Sequence, residues 1–145
     1  MSLLPERFEA WFWARHSNPK SGWTRVPTGP VVVYALYRRD WRLLCAALVW
    51  TVVNPFLFAA PGNEDAWMTR AVLAERWWIR EEGNRTTGFD GPNAYNTGAA
   101  LAAVFAVHAA WRRRPAGATL GAALLVGLKL WWLELLVRRY DRRAA

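Results

Sequence analysis

With 145 residues the chain is one domain by length, and its single cysteine, Cys45, excludes an intrachain disulfide and a cysteine-based zinc site. It is 54% hydrophobic with 11 tryptophans, and its formal charge of +8 comes almost wholly from arginine, since Lys20 and Lys129 are the only lysines. Nucleic acid is excluded as a partner by where the arginines stand: they flank uncharged runs instead of forming one basic soluble face.

Taken in chain order, the opening "MSLLPERFEA" has no charged start followed by an apolar core, so no cleavable signal peptide is expected. A helix is predicted over 3–16, with Leu4, Phe8, Trp11 and Phe12 on one face, lying in the membrane interface. Ser17-Asn18-Pro19 is expected to end it, because a residue before proline avoids the helical region. The dense polar stretch "HSNPKSGWTR" then stands at the lip of "VPTGPVVVYALY", which carries no charge. A first membrane span is predicted over 26–38. It is short for a hydrocarbon layer of roughly 30 Å, at about 1.5 Å per residue.

Three longer uncharged runs follow: Leu43 to Asn63, Gly91 to Trp111, and Pro115 to Leu128, the last continuing to Val137 across Lys129 and Glu134. A span needs roughly 20 apolar residues, and these runs place spans over about 42–60, 94–111 and 116–137. Arginines bound them: Arg38, Arg39 and Arg42, then Arg112, Arg113 and Arg114, then Arg138, Arg139, Arg142 and Arg143. Trp41, Trp111, Trp131 and Trp132 mark the same edges, where an apolar ring meets a wet boundary. Between the second and third spans, "NEDAWMTRAVLAERWWIREE" predicts a second interfacial helix over about 64–81. Asn63, Glu64 and Asp65 suit its N-terminus, and Trp67, Ala71, Ala74 and Trp78 form one stripe. The fold class expected is an all-α integral membrane protein: four transmembrane helices, the first short, and two amphipathic interfacial helices.

Small residues recur every fourth position at Gly98, Ala102, Ala106 and Ala110, and again at Gly117 and Gly121, so that backbones approach closely in lipid. They are expected to pack the third span on the fourth; a homo-oligomer or a larger membrane complex through Gly117 and Gly121 is the alternative.

The stretches "RHSNPKSGWTR", "NPFLF", "DAWMTRAVLAERWW" and "KLWWLELLV", in this order, resemble a family of small prokaryotic membrane proteins known as a domain of unknown function. The resemblance implies the cytoplasmic membrane of a prokaryote and a multi-pass fold, and it implies no mechanism.

An even number of spans places both termini and the Asn63–Asn93 connection on one face, expected to be cytoplasmic from the Lys/Arg distribution. His16, Asn18, Lys20, Thr24, Arg25, Arg70, Glu75 and Arg76 therefore gather near one membrane surface. Two readings stay open. In one, these groups cap helices and touch anionic lipids without selectivity. In the other, Arg25, Arg70 and Arg76 donate to one anionic headgroup, because the planar guanidinium fork suits phosphate oxygens. Lys20, His16, Asn18 and Thr24 then orient the ligand, and Glu75 holds an arginine. Pro55, next to Asn54, leaves a carbonyl of the preceding turn without its helical partner, and Asn18 and Arg25 are expected to satisfy it.

Deeper in the spans stand His108, Lys129 and Glu134, costly in hydrocarbon unless partnered or near an end. Glu134 has Arg138 at i+4, and His108 stands near the Arg112 end. Lys129 is expected to snorkel, the alternative being a pair with Glu134 or the Asn54 region that lines a polar path. An enzyme acting through His16 and Glu75 on a lipid-linked substrate is the weaker expectation, since no nucleophile motif accompanies them. No metal or other cofactor is expected, and bis-histidine haem ligation fails because His16 and His108 belong near opposite faces.

Overall fold

The computed structural model of the chain describes residues 5–145, which form seven helices with no strand among them. Helix α1, Glu6–His16, begins with Glu6 and Glu9 in its first turn and ends as the Ser17 N–H bonds the Trp13 carbonyl at 3.1 Å. Its predicted stripe is described only from Phe8 onward, because residue 3 and Leu4 lie outside the described residues. The chain then starts a new helix at once, where a stop alone was expected. Helix α2, Pro19–Arg25, has Asn18 as N-cap, its side chain accepting the Lys20 N–H at 2.9 Å, and proline in the first turn, where a missing N–H costs nothing.

Helix α3, Thr28–Arg38, stops at Arg39, which adopts a left-handed conformation (φ 57°). Helix α4, Trp41–Leu57, is opened by Asp40, whose carboxylate accepts the Leu43 N–H at 3.0 Å. Helix α5, Trp67–Arg80, starts later than its acidic approach suggested. Asn63 caps the Asp65 N–H in a local turn at 3.1 Å, and Ala66 is the N-cap. Helix α6 is Asn93–Trp111, and helix α7 runs from Pro115 to Arg143, carrying the terminal arginines as helix rather than ending at Val137.

Helix α6 lies along the first half of α7. A Cβ on Gly121 would stand 2.7 Å from the Ala106 Cβ and 2.8 Å from its Cα, and one on Gly117 would stand 3.0 Å from the Ala109 Cβ. These glycines are therefore engaged within the chain. Val33 of α3 and Ala106, Ala109, Ala110 and Ala118 form the core at this end. Arg39 joins the two arginine-rich turns there, donating to the Leu36 and Trp111 carbonyls at 2.6 Å each and covering the Trp111 ring at 4.1 Å.

At the other end, α5 buries its stripe against the second half of α7: Met68, Ala71, Ala74 and Trp78 meet Trp132, Leu133, Leu136 and Val137. The apolar face of α5 is thus a core face, not a free surface for lipid. Helix α1 crosses α4, with Trp11 and Phe12 against Phe56, and ties to α5 through Arg80 and Glu9 at 2.8 Å. Among the described residues one helix, α7, is long and apolar enough to cross a membrane; α4 is apolar but has 17 residues. Asn93, Asn96 and Thr97 dilute the start of α6, and α3 has only 11 residues. Large apolar side chains nevertheless face outward, most of them on α4, α6 and α7, among them Val52 (68% exposed), Val104 (69%) and Leu120 (56%).

Candidate functional site

Helices α2, α3, α5 and α7 leave between them a cavity of about 380 Å³. Four of its lining side chains are ionisable (His16, Arg25, Glu75 and Lys129), and apolar wall comes from residues such as Met68, Val72, Leu125 and Leu133. Each ionisable group arrives from a different helix. His16 is the last residue of α1 and Arg25 the last of α2, while Glu75 and Lys129 come from within α5 and α7.

The positioning of Arg25 starts at Asn54, which is fully buried beside Pro55 in α4. Ser21 donates its hydroxyl to Asn54 Oδ1 at 2.5 Å, and Asn54 Nδ2 donates to Thr24 Oγ1 at 2.9 Å. A buried amide satisfied on both sides locks α2 onto α4. The end of α4 is held by α1 and its exit: Arg15 donates to the Phe56 and Phe58 carbonyls at 3.2 and 3.3 Å, and Asn18 Nδ2 to the Ala59 carbonyl at 2.8 Å. Asn18 thus holds the exit of α4, not the carbonyl that Pro55 leaves without its helical partner, and Arg25 turns elsewhere. Its Nη1 donates to His16 Nδ1 and to Ser21 Oγ at 3.3 Å, and its Nη2 to the His16 carbonyl at 3.4 Å.

Because Nδ1 faces an obligate donor, it accepts, and the ring proton belongs on Nε2. Burial pulls the His16 pKa down from 6.5 to about 4, and the neighbouring Arg25 charge pulls the same way. The ring is therefore neutral at neutral pH. Burial also lowers the pKa of Arg25, the Glu75 carboxylate opposing it, and the guanidinium stays charged. Phe12 stacks on the imidazole at 5.0 Å between ring centroids, and Trp13 meets it edge-on at 5.6 Å.

Lys129 turns to partners within the chain. Its Nζ lies 3.6 Å from Glu75 Oε1, bonds Asn96 Oδ1 at 3.3 Å, and sits 4.1 Å from the centre of the Trp132 ring. Its partners are thus Glu75 and Asn96, in place of Glu134 or the Asn54 region. The Lys129 and Glu75 side chains are only partly buried (38% and 23% exposed), and each meets the other.

The remaining expected site residues lie elsewhere. Arg70 faces Asp141 at 3.9 Å, and its Nε has no hydrogen bond among the described residues. Arg76 is half-buried and outside the cavity lining, and Lys20 is exposed. Thr24 spends its hydroxyl on the Lys20 carbonyl at 2.7 Å and on Asn54. Glu134 accepts from Arg138 at 2.8 Å and from Trp67 Nε1 at 2.7 Å, while His108 is exposed in the last turn of α6. Sequence reasoning missed Arg15, Ser21 and Asn96. Only Ser21 left a readable signal, since it stands one helical turn before Arg25.

The chain belongs to a family of unknown function (DUF6653), whose model matches residues 7–145. No curated protein and no solved structure matches it.

Proposed function

We propose that this member of a family without an assigned activity is a small multi-pass membrane protein whose cavity holds the phosphate of an anionic lipid headgroup. The observation that carries the reading is the cavity itself: Arg25 and Lys129 face one space of about 380 Å³, walled by apolar side chains. That volume falls within the range of about 300–1,000 Å³ typical of small-molecule sites. Arg25 offers a planar fork for two phosphate oxygens, and Lys129 offers a point charge from the facing helix.

Immersion in a bilayer is supported by the outward apolar faces of α4, α6 and α7, which water would penalise. Only 28% of the most apolar stretch of α7 is buried, unlike the core helix of a soluble domain. In this reading α3, α4, α6 and α7 are the spans, α3 being short. Both termini and the cavity share the cytoplasmic face, and the arginine turns joined by Arg39 mark the other. An acid–base role for His16 and Glu75 is disfavoured. A ring with a pKa near 4 is a weak base, and Glu75 is already paired with Lys129.

Native mass spectrometry of the detergent-purified protein tests the reading, with dioleoyl phosphatidylglycerol, dioleoyl phosphatidylcholine and inorganic phosphate as separate probes. Phosphatidylglycerol is expected to stay bound where the other two are lost. Arg25→Ala and Lys129→Ala should each weaken its retention about tenfold, the worth of a charge-assisted hydrogen bond. Lys20→Ala and Arg76→Ala should leave it unchanged. Equal retention of phosphatidylcholine or of inorganic phosphate, or indifference to Arg25 and Lys129, overturns the reading.

A further inference from the structure

The charges around the cavity do not simply add to a basic patch. Arg25 and Lys129 each bring one positive charge, and Glu75, lying between α2 and α7, brings one negative. His16 brings none, because burial and Arg25 hold its pKa at about 4. The lining is therefore left with a single unbalanced positive charge. We infer that Glu75 sets the charge of the ligand, so that the cavity selects a singly charged phosphodiester headgroup bearing hydroxyls over a phosphomonoester. This rests on the headgroup reading above and deepens it.

A phosphomonoester carries about −1.5 to −2 at neutral pH. Placed against Arg25 and Lys129, it would hold its second charge next to the Glu75 carboxylate, whose Oε1 is 3.6 Å from the Lys129 ammonium. Like charges brought close together repel, and among the described residues no further cation lines the cavity to offset them. A phosphodiester leaves the Glu75–Lys129 pair in place. Lys129 has three N–H donors and commits one to Asn96 while pairing in charge with Glu75, so a donor remains for a phosphate oxygen. Arg25 commits Nη1 and Nη2 to His16 and Ser21 but has donors to spare among its five. Headgroup hydroxyls then find an acceptor in Glu75. The Nε2–H of His16, whose other nitrogen is taken by Arg25, supplies a donor.

The test compares dioleoyl phosphatidylglycerol with dioleoyl phosphatidic acid on the full-length protein in nanodiscs or by native mass spectrometry at neutral pH. The wild-type protein is expected to retain phosphatidylglycerol about tenfold more strongly, a modest share of the Coulomb energy of one opposed charge. Glu75→Gln removes that charge and should shift the ratio about tenfold toward phosphatidic acid, whereas Glu75→Asp should keep the original order. Wild-type preference for phosphatidic acid overturns the inference without needing any variant to fold. So does an unchanged ratio in a Glu75→Gln protein that keeps its helical circular dichroism. In both cases the headgroup reading survives, since an anionic lipid still binds; failure of both lipids to bind removes that reading as well.

Discussion

The two halves of α7 meet their neighbours in opposite ways. In the first half, Gly117 and Gly121 admit Ala109 and Ala106 of α6 so closely that a Cβ at position 121 would lie 2.7 to 2.9 Å from three Ala106 atoms. Farther along, Leu125, Lys129 and Leu133 line the cavity beside α2, α3 and α5, while Leu133 also packs with Trp132 and Leu136 on α5. Small residues every fourth position let backbones touch and leave no room for a polar group. Large ones prop helices apart, and the space between them is where charged side chains find partners. One helix is thereby both the closed seam of the fold and one wall of its candidate site.

The harshest way to break that contrast is Gly121→Ala. The obstructing atoms include Ala106 backbone, which cannot rotate away, so a loss of about 3 kcal/mol is expected in detergent unfolding. A loss well under that would show that the seam can part. Next comes acid. The folded His16 pKa lies below the unfolded value of 6.5, so the unfolded chain takes up the proton first. Stability is therefore full above pH 6.5 and falls as the pH drops toward 4. Imidazole NMR checks the cause: His16 should titrate near 4, and Arg25→Ala should raise that only in part, because burial is the larger effect.

Gly22→Ala sharpens the comparison from the cavity side. Its Cβ would run into Met68 Cγ and Sδ, so this flexible, unbranched side chain must rotate away from its Cβ outward. About 1 kcal/mol is expected, with weaker phosphatidylglycerol retention, since Gly22 and Met68 both line the cavity. Smallest of all is Arg138→Ala. It removes an exposed i,i+4 pair and leaves Glu134 its bond to Trp67, so a change within about 0.5 kcal/mol is expected by the same unfolding assay.

Helices α4, α6 and α7 were readable because arginines punctuate long uncharged runs, and α5 because its small and aromatic residues fall on one stripe. Helix α2 was not. Asn18-Pro19 reads as a stop, yet asparagine as N-cap with proline next is equally a start, and seven residues around Gly22 are too few to show a period. Of the polar cluster, His16, Arg25 and Glu75 are expected near one surface, but Lys129 is expected apart from them. Arg70 and Arg76 stand within two turns of Glu75 on the same helix and still miss the cavity. Met68, Val72 and Glu75, at i, i+4 and i+7, are the α5 residues turned toward it.

The order of residues alone determined where the longer helices lie, where charge bounds them, and which faces are apolar, because those depend on spacing within one segment. Which charges meet was decided only when the helices packed. Rotation of α5 and α7 about their own axes brought Glu75 to Lys129 and left Arg70 against Asp141. That rotation is set by side-chain volume across a shared core, with Trp132 and Leu136 fully buried against α5, and no spacing along a single helix records it.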